Sequence, residues 1–200
     1  MNHCDFIGKT GSIAFVLQRQ IPKLKDPKTV AMERRYLFTG KAGLGKSTLA
    51  LELGLEICNG QALGVEQLNG QSMSVERVRA WQQQGAYHPM FGDASVVIVD
   101  EIDQASPAAL NEVRQLLDKL PPRWTFIATT NKKVEELPEV LQSRFKPAFF
   151  EPVGAGEVKA WLLKKFNKLT QEMAGSIAVS CRGNVRAAQT DAMAVEEAMM

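Results

Sequence analysis

The sequence predicts an α/β fold: a three-layer αβα core on a five-stranded parallel sheet, followed by a small helical unit. Five segments with strand character alternate with helical segments up to Pro152, an order that is typical of parallel sheets. The third of them, residues 94–99, is almost wholly apolar, as expected of a strand that is covered on both faces. Beyond Pro152 only helical patterns remain. We therefore expect one domain over residues 1–153 and a second over residues 154–200.

Capping residues, prolines and glycines set the predicted limits of each element. Ser12 can cap a first helix that runs to Ile21, and Pro22 is expected to end it. The polar stretch 23–31 is expected to form a loop. The strands are predicted at residues 36–39, 65–68, 94–99, 124–129 and 148–150. Further helices are predicted at residues 49–58, 74–84, 106–120, 137–143, 158–168, 171–181 and 185–199.

Charge, apolar content and cysteine spacing exclude several classes of protein. A net charge of +2 is too small to indicate nucleic-acid binding on its own. No apolar stretch approaches the roughly 20 residues that a membrane helix needs, so we expect no membrane partner and a cytoplasmic location. Cys4, Cys58 and Cys181 lie far apart without a CxxC pair, which argues against a metal site and favours a reducing compartment.

A glycine-rich motif follows the first predicted strand. Residues 40–47, Gly-Lys-Ala-Gly-Leu-Gly-Lys-Ser, match GxxxxGK[ST] in the strand-to-helix context that this P-loop motif requires. Its backbone N–H groups can wrap a phosphate chain, and the following helix directs its positive end at the same anion. Lys46 is expected on the β- and γ-phosphates of ATP, and the Ser47 hydroxyl on Mg²⁺. The predicted nucleotide-binding residues here are Gly40, Lys41, Ala42, Gly43, Leu44, Gly45, Lys46, Ser47 and Thr48.

Two acidic residues, Asp100 and Glu101, follow the third predicted strand. They are expected at the carboxyl edge of the sheet, where ligands collect in folds of this kind. Asp100 is expected to hold Mg²⁺ partly through water, and Glu101 to polarise the attacking water as a general base. The alternative is a buried strand followed by a solvated acidic turn, which the preceding P-loop makes the weaker interpretation.

The order of these motifs resembles that of AAA+ ATPases. The P-loop is followed by Val-Val-Ile-Val-Asp-Glu-Ile-Asp, then by a strand that ends at Asn131, and then by Leu-Gln-Ser-Arg-Phe at residues 141–145. Within that family the sequence is most similar to the clamp-loader group, namely replication factor C small subunits and the gamma and delta-prime subunits of DNA polymerase III. The Ser-Arg pair at 143–144 resembles the SRC box of that group, with Phe145 in place of cysteine.

The resemblance implies roles for residues outside the two nucleotide motifs. Ile7 and Gly8 resemble the family's start, whose residues line the adenine site. Asn131 resembles sensor 1, which contacts the γ-phosphate or the water, and Arg144 resembles an arginine finger that acts in trans on a neighbour's ATP. Arg186 resembles the sensor-2 arginine of a helical lid, which closes on the γ-phosphate in cis. The alternatives are a strand-end asparagine that turns the chain and a solvated arginine at a helix end.

A finger that acts in trans implies a homo- or hetero-oligomer of such subunits. The leading hypothesis is a DNA-acting ATPase, clamp-loader-like or helicase-loader-like, with DNA and a replication or recombination protein as partners. Family analogy puts the DNA backbone near residues 71–74 and 104–106. The alternative is an ATP-switched scaffold or filament whose hydrolysis times disassembly. The basic stretches at 23–35 and 159–168 would suit DNA, but they fit solvated faces equally well.

Two departures from the clamp-loader pattern limit the analogy, and a further residue, Asn69, agrees with it. The sequence, which continues to Met200, does not include the helical collar domain that clamp-loader subunits usually carry, so either the chain is truncated or we expect assembly through the ATPase domains alone. Leu110 stands where those proteins tend to have a glutamine that links DNA contact to catalysis. The resemblance also suggests that Asn69 holds Glu101 inactive until a ligand arrives.

Overall fold

The computed structural model describes residues 6–85 and 94–199. The strands are β1 (Arg35–Thr39), β2 (Val65–Asn69), β3 (Ser95–Asp100), β4 (Trp124–Thr130) and β5 (Lys146–Phe149). The helices are α1 (Gly8–Lys25), α2 (Lys46–Ile57), α3 (Val75–Gln84), α4 (Pro107–Asp118), α5 (Glu139–Gln142), α6 (Ala155–Lys165), α7 (Gln171–Ser180) and α8 (Val185–Ala198). Each predicted strand and helix is therefore present, and the main differences lie at the boundaries.

The five strands form one parallel sheet in the order β2-β3-β4-β1-β5, which confirms the predicted fold class. Side chains alternate between the two faces along each strand, and apolar side chains point to both. Helices cover both faces and bury these side chains. In β1, Leu37 belongs to the core beneath α3 and α4, whereas Tyr36 and Phe38 belong to the core beneath α1 and α2. β1 is the fourth of the five strands, so the P-loop lies at the carboxyl edge beside the end of β4.

The first helix is longer than predicted, because Pro22 lies inside it. The helix α1 begins at Gly8 rather than Ser12 and continues to Lys25, with Asp26 as its C-cap. A proline removes one hydrogen bond of the helix. The helix continues past it because Leu24, which is 1% exposed, is buried in the same core as α2. The predicted loop at 23–31 is also shortened at its other end by a 3₁₀ turn over Ala31–Arg34.

Two predicted helix caps are confirmed. The Ser74 side chain accepts a hydrogen bond from the Arg77 N–H at 3.2 Å, and Ser106 accepts one from the Ala109 N–H at the same distance. Pro107 occupies the first position of α4, where its missing N–H costs nothing. These caps fix the starts of α3 and α4 at the carboxyl edge of the sheet, after β2 and β3.

The helices α6, α7 and α8 enclose a third core of their own. It is built from residues such as Val158, Leu162 and Ala188, which are fully buried. The helix α6 ends at Lys165 rather than 168, because Phe166 and Leu169 turn back into this core. The last strand ends at Phe149, so a boundary between residues 153 and 154 remains our prediction for the domain division.

Cys58 and Cys181 are buried free thiols, and Cys4 lies outside the described residues. Burial raises the pKa of the Cys58 thiol to about 11, so it is protonated at neutral pH. Within residues 6–85 and 94–199, no helix is both long enough and apolar enough to span a bilayer.

Candidate nucleotide site

Three neighbouring strands bring the predicted site residues to one edge of the sheet. The P-loop connects β1 to α2, Asp100 and Glu101 follow β3, and Asn131 follows β4. The order β3-β4-β1 makes these strands adjacent, and in a parallel sheet their carboxyl ends lie on the same side. The topology therefore brings together residues that are far apart in the sequence, from Gly40 to Asn131.

Lys46 is the buried centre of the site. It is 7% exposed, and its Nζ donates to the carbonyls of Gly40 at 2.7 Å and Lys41 at 2.8 Å. A third hydrogen bond goes to Oδ1 of Asn131 at 2.9 Å. Burial, followed by the positive charge of Arg186, lowers the pKa of Lys46 to about 8. An anion in the loop would relieve both effects, which is the environment expected of a phosphate-binding lysine.

The pKa of Lys46 makes nucleotide binding pH-dependent. Phosphate oxygens beside Nζ favour the charged lysine, so the bound state has the higher pKa and binding takes up a proton above about pH 8. We expect the Kd for ADP without Mg²⁺ to rise between pH 8 and pH 10, by at most about tenfold per pH unit. Titration calorimetry at pH 9 in two buffers of different ionisation enthalpy measures the uptake directly. Binding at pH 9 without proton uptake would contradict this assignment, and the same experiment at pH 7 is the control.

Glu101 lies next to two amide side chains. Its Oε1 accepts from Nδ2 of Asn131 at 3.3 Å, and its Oε2 accepts from Nδ2 of Asn69 at 3.4 Å. Asn131 therefore bridges Lys46 and Glu101, while Asn69 contacts the carboxylate from β2. The Glu101 backbone is left-handed with φ of 52°, and the Gly70 backbone packs against it. A Cβ on Gly70 would lie 2.3 Å from the Glu101 carbonyl oxygen, so only glycine fits there.

Asp100 is held by two neighbours that the sequence alone did not indicate. Its Oδ1 accepts from the Thr129 hydroxyl at 2.9 Å, and its Oδ2 accepts from Nε2 of Gln67 at 2.6 Å. Thr129 also accepts from the Glu101 N–H at 3.2 Å, so one threonine orients both acids. The only sequence signal for Thr129 was its place two residues before Asn131 at the end of a buried strand. Ser47 is the second residue of α2, beside Lys46.

The helical unit contacts the P-loop directly at Gly43. The Arg186 N–H donates to the Gly43 carbonyl at 3.2 Å, and the Asn184 side chain caps α8 by accepting from the Ala187 N–H at 3.1 Å. Gly43 has φ of 80°, and a Cβ there would lie 1.9 Å from Oδ1 of Asn184. The start of α8 therefore rests on the P-loop backbone, and a side chain at position 43 would separate them.

A cavity of about 410 Å³ lies between the P-loop, the start of α1 and the helical unit. Its lining combines apolar and polar groups contributed by Phe6, Ile7, Thr10, Thr48, Trp161, Lys165, Arg186 and Gln189, together with Gly43, Leu44 and Gly45. Thr10 fixes α1 to the loop by donating to the Leu44 carbonyl at 3.1 Å. Gly8, which was predicted to line the adenine site together with Ile7, packs against Val153 and does not line this cavity. The volume and the mixed lining suit a nucleoside next to a phosphate cradle.

Arg144 lies at the opposite edge of the sheet from the P-loop. It precedes β5, whose first residue Lys146 pairs with Tyr36 near the start of β1. The P-loop follows the end of β1, and five residues at about 3.3 Å each span roughly 16 Å. An arginine side chain is shorter than this, and the guanidinium of Arg144 is bound to Asp118 at the end of α4. Arg144, which was predicted to act in trans, therefore does not reach the P-loop of its own chain.

The residues present fit Mg²⁺ and ATP. Mg²⁺ in nucleotide sites takes one or two protein oxygens and completes its shell with phosphates and water. Ser47 and Asp100 supply that number of oxygens. In the described part of the chain, no group of three or more His, Cys, Asp or Glu side chains forms a metal site that is independent of a nucleotide. The P-loop provides the cradle, since Gly40, Gly43 and Gly45 all have positive φ.

Comparison with known families agrees with this geometry. The family described as "ATPase family associated with various cellular activities (AAA)" matches residues 36–153, more than half of the chain. The chain belongs to the AAA family of ATPases. Members of this family hydrolyse ATP in general. The matched span of this AAA protein runs from β1 to Val153 and includes both nucleotide motifs and Arg144.

Solved structures share the fold of this AAA protein at low sequence identity. One variant of RuvB from Thermotoga maritima is 18% identical with a TM-score of 0.76, covering 96% of this chain and 64% of that one. A DNA polymerase III gamma subunit-related protein of the same organism is 17% identical with a TM-score of 0.65, covering 90% of this chain and 57% of that one. The chain thus spans less than two thirds of either structure. No match is found among curated protein sequences.

Proposed function

We propose that this AAA protein hydrolyses ATP at the interfaces of an oligomer and acts on DNA as a clamp-loader-like or helicase-loader-like factor in replication or recombination. The observation that carries the proposal is the hydrogen-bonded chain Lys46–Asn131–Glu101–Asn69 beside the P-loop. It joins an expected phosphate ligand, a polar sensor, a general base and a restraining amide in one connected set.

Within one subunit, each of these residues has a distinct task. Lys46 gives up its carbonyl contacts to bind the phosphates, which also frees Oδ1 of Asn131. Asn131 then orients the attacking water together with Glu101, the general base. Ser47, and Asp100 partly through water, would hold Mg²⁺, which would supply neutralising charge to the phosphates. The Arg186 side chain lines the nucleotide cavity from α8, so it is suited to close on the γ-phosphate.

Arg144 completes the site of a neighbouring subunit. Its position at the amino edge of the sheet keeps it from its own P-loop, which supports a role in trans. A guanidinium placed on the transferring phosphoryl group stabilises the charge of the transition state, an effect that reaches about 10³-fold or more. Hydrolysis therefore requires at least two subunits in contact, and we expect turnover to rise steeply with protein concentration.

The proposal that this protein acts on DNA is supported by the starts of α3 and α4. The adjoining 3₁₀ turns, Gly70–Ser72 and Ile102–Gln104, pack against each other, so two helix starts share one face. Helix N-termini can bind backbone phosphates without charged side chains. This face adjoins Asn69 and Glu101, which offers a direct link between DNA contact and release of the base. Similarity to a DNA polymerase III gamma subunit-related protein gives further support.

The basic stretch at 23–35 contributes less to DNA binding than its charge suggests. Arg34 is 3% exposed and donates to the carbonyls of Thr29, Pro121 and Trp124. Arg35 donates to the Leu117 carbonyl, and Lys23 forms an ion pair with Glu33. These cations hold the sheet and its neighbouring helices together, so we assign the DNA contact to the face that carries the starts of α3 and α4.

ATP turnover across protein concentration, with and without double- and single-stranded DNA, tests the proposed function. We expect turnover per subunit to rise with concentration and to increase further when DNA is present. Turnover that depends on concentration but ignores DNA would leave the trans mechanism and favour an ATP-switched scaffold or filament. Turnover that is independent of concentration would contradict the trans mechanism.

A further inference from the structure

The guanidinium of Arg144 is bound side-on by a single carboxylate of its own chain. Its Nε donates to Oδ1 of Asp118 at 3.0 Å, and its Nη2 donates to Oδ2 of the same residue at 3.4 Å. A third hydrogen bond joins Nη1 to the Val140 carbonyl at 3.2 Å. Paired arginine–carboxylate contacts of this kind set the plane of the guanidinium as well as its position.

Part of the guanidinium remains available to a partner. Arginine has five N–H bonds, and three are used by Asp118 and Val140, so two have no acceptor among residues 6–85 and 94–199. The Arg144 side chain is 24% exposed, so part of it is accessible from outside the subunit. The two remaining N–H groups, one on Nη1 and one on Nη2, are suited to donate to the oxygens of a phosphate.

Asp118 lies at an end of α4 that is anchored to the sheet. It is the last residue of α4, and the preceding Leu116 and Leu117 are almost fully buried against the sheet. The Leu117 carbonyl also accepts a hydrogen bond from Nη1 of Arg35 at 2.9 Å, which anchors the end of α4 to the start of β1. The carboxylate of Asp118 is therefore held in position relative to the sheet, and its hydrogen bonds hold the guanidinium of Arg144 in turn.

We propose that Asp118 is a positioning residue that presents Arg144 to the nucleotide of a neighbouring subunit. This inference rests on the proposed trans mechanism. Long side chains at a surface sample many rotamers, and misplacement of a catalytic group by about 1 Å can cost about 10²-fold in rate. The Asp118 carboxylate is 44% exposed, so its charge is screened and the pair contributes little to folding stability. Orientation of Arg144 is then its main effect.

The test compares variants at Asp118 by turnover and by stability. Asp118→Ala is expected to lower kcat about tenfold, because orientation is lost while the arginine stays. The KM for ATP and the melting temperature should remain close to those of the parent protein, since the subunit's own ATP site is untouched. Asp118→Glu keeps the carboxylate and should recover part of the loss. Glu112→Ala is the matched control, since it removes the other arginine–carboxylate pair of α4, with Arg79.

A mixing experiment separates the finger from the site that it serves. Glu101→Gln subunits lack the base but carry an intact Arg144 and Asp118, so they can supply the finger to Asp118→Ala subunits. We expect turnover per Asp118→Ala site to return to the parental level as Glu101→Gln subunits are added in excess. A purely structural defect in Asp118→Ala would not be relieved in this way.

Three outcomes would overturn the inference. Unchanged or increased kcat in Asp118→Ala, with Arg144→Ala strongly impaired, would refute positioning while leaving the trans finger in place. A loss of kcat in Asp118→Ala that excess Glu101→Gln subunits do not relieve would show that Asp118 instead supports the stability or the ATP site of its own subunit. Full activity of Arg144→Ala would refute the trans mechanism itself and, with it, the role of Asp118.

Discussion

Replacing Arg144 by alanine is expected to reduce ATP turnover by about 10³-fold or more while leaving ATP binding intact. The guanidinium lies at the amino edge of the sheet, and three of its N–H groups donate to Asp118 and Val140. Nothing that holds ATP in the same subunit therefore changes. Steady-state turnover and the Kd for a fluorescent ATP analogue, measured on the same preparation, separate the two effects.

The matched control for Arg144→Ala is Arg79→Ala. Arg79 also pairs with a carboxylate of α4, at 2.8 Å from Glu112, but on the side of α3. Its removal should leave turnover within about twofold of the parent, because Arg79 is 60% exposed and, among the residues that the structure describes, makes no contact with the nucleotide site. Equal losses in both variants would indicate that α4 has been destabilised, and full activity of Arg144→Ala would exclude the finger role. Mixing Arg144→Ala with Glu101→Gln subunits should restore turnover if the finger acts in trans.

The second large effect is expected for Glu101→Gln. Loss of a general base lowers kcat by about 10²- to 10⁴-fold. The glutamine keeps the shape of the side chain, and its carbonyl oxygen can still accept from Asn131 or Asn69, so the turn around Gly70 should persist. The variant is therefore expected to bind ATP normally and to accumulate in the assembled state. Turnover and the oligomer mass with ATP, by light scattering, check both parts.

Glu112→Gln serves as the control for Glu101→Gln, since Glu112 lies on α4 and pairs with Arg79 outside the site. Normal turnover by Glu101→Gln would reject Glu101 as the base. Weak ATP binding by the same variant would indicate that the carboxylate helps to hold Lys46 and Asn131 in place, and the chemical role would then need another assignment.

The local motifs could be predicted from sequence because their chemistry is contained in a few consecutive residues. The P-loop needs glycines at fixed spacing, and Asp100 and Glu101 need only an apolar strand before them. Strand-ending polar groups of a parallel sheet gather at one edge, so Lys46 and Asp100 were expected near each other from the alternation of strands and helices, whereas Asn131 was added by the resemblance to AAA+ ATPases. The five-stranded α/β fold was predicted for the same reason, and the structure confirms it.

Other features depend on contacts between distant parts of the chain. The hydrogen bond from Lys46 to Asn131 joins residues that are 85 apart in sequence and requires β1 to lie beside β4, which no local pattern indicates. The same holds for Thr129 and Gln67 on Asp100, because each comes from a different strand. Propensity alone also misplaced the end of α1, since burial of Leu24 outweighs the hydrogen bond that Pro22 removes.

The sequence by itself thus determined which groups are expected to bind phosphate, metal and water, because backbone freedom, charge and hydroxyl chemistry are properties of the residues. Only the tertiary structure decided how these groups are connected and which of them lie together within one chain. The pairing of Asp118 with Arg144 at the edge opposite the P-loop depends on α4 running back along the sheet. The contact of Asn184 with Gly43 depends on packing of the helical unit. Strand order and helix packing are set by burial over the whole chain, and short-range patterns carry little information about them.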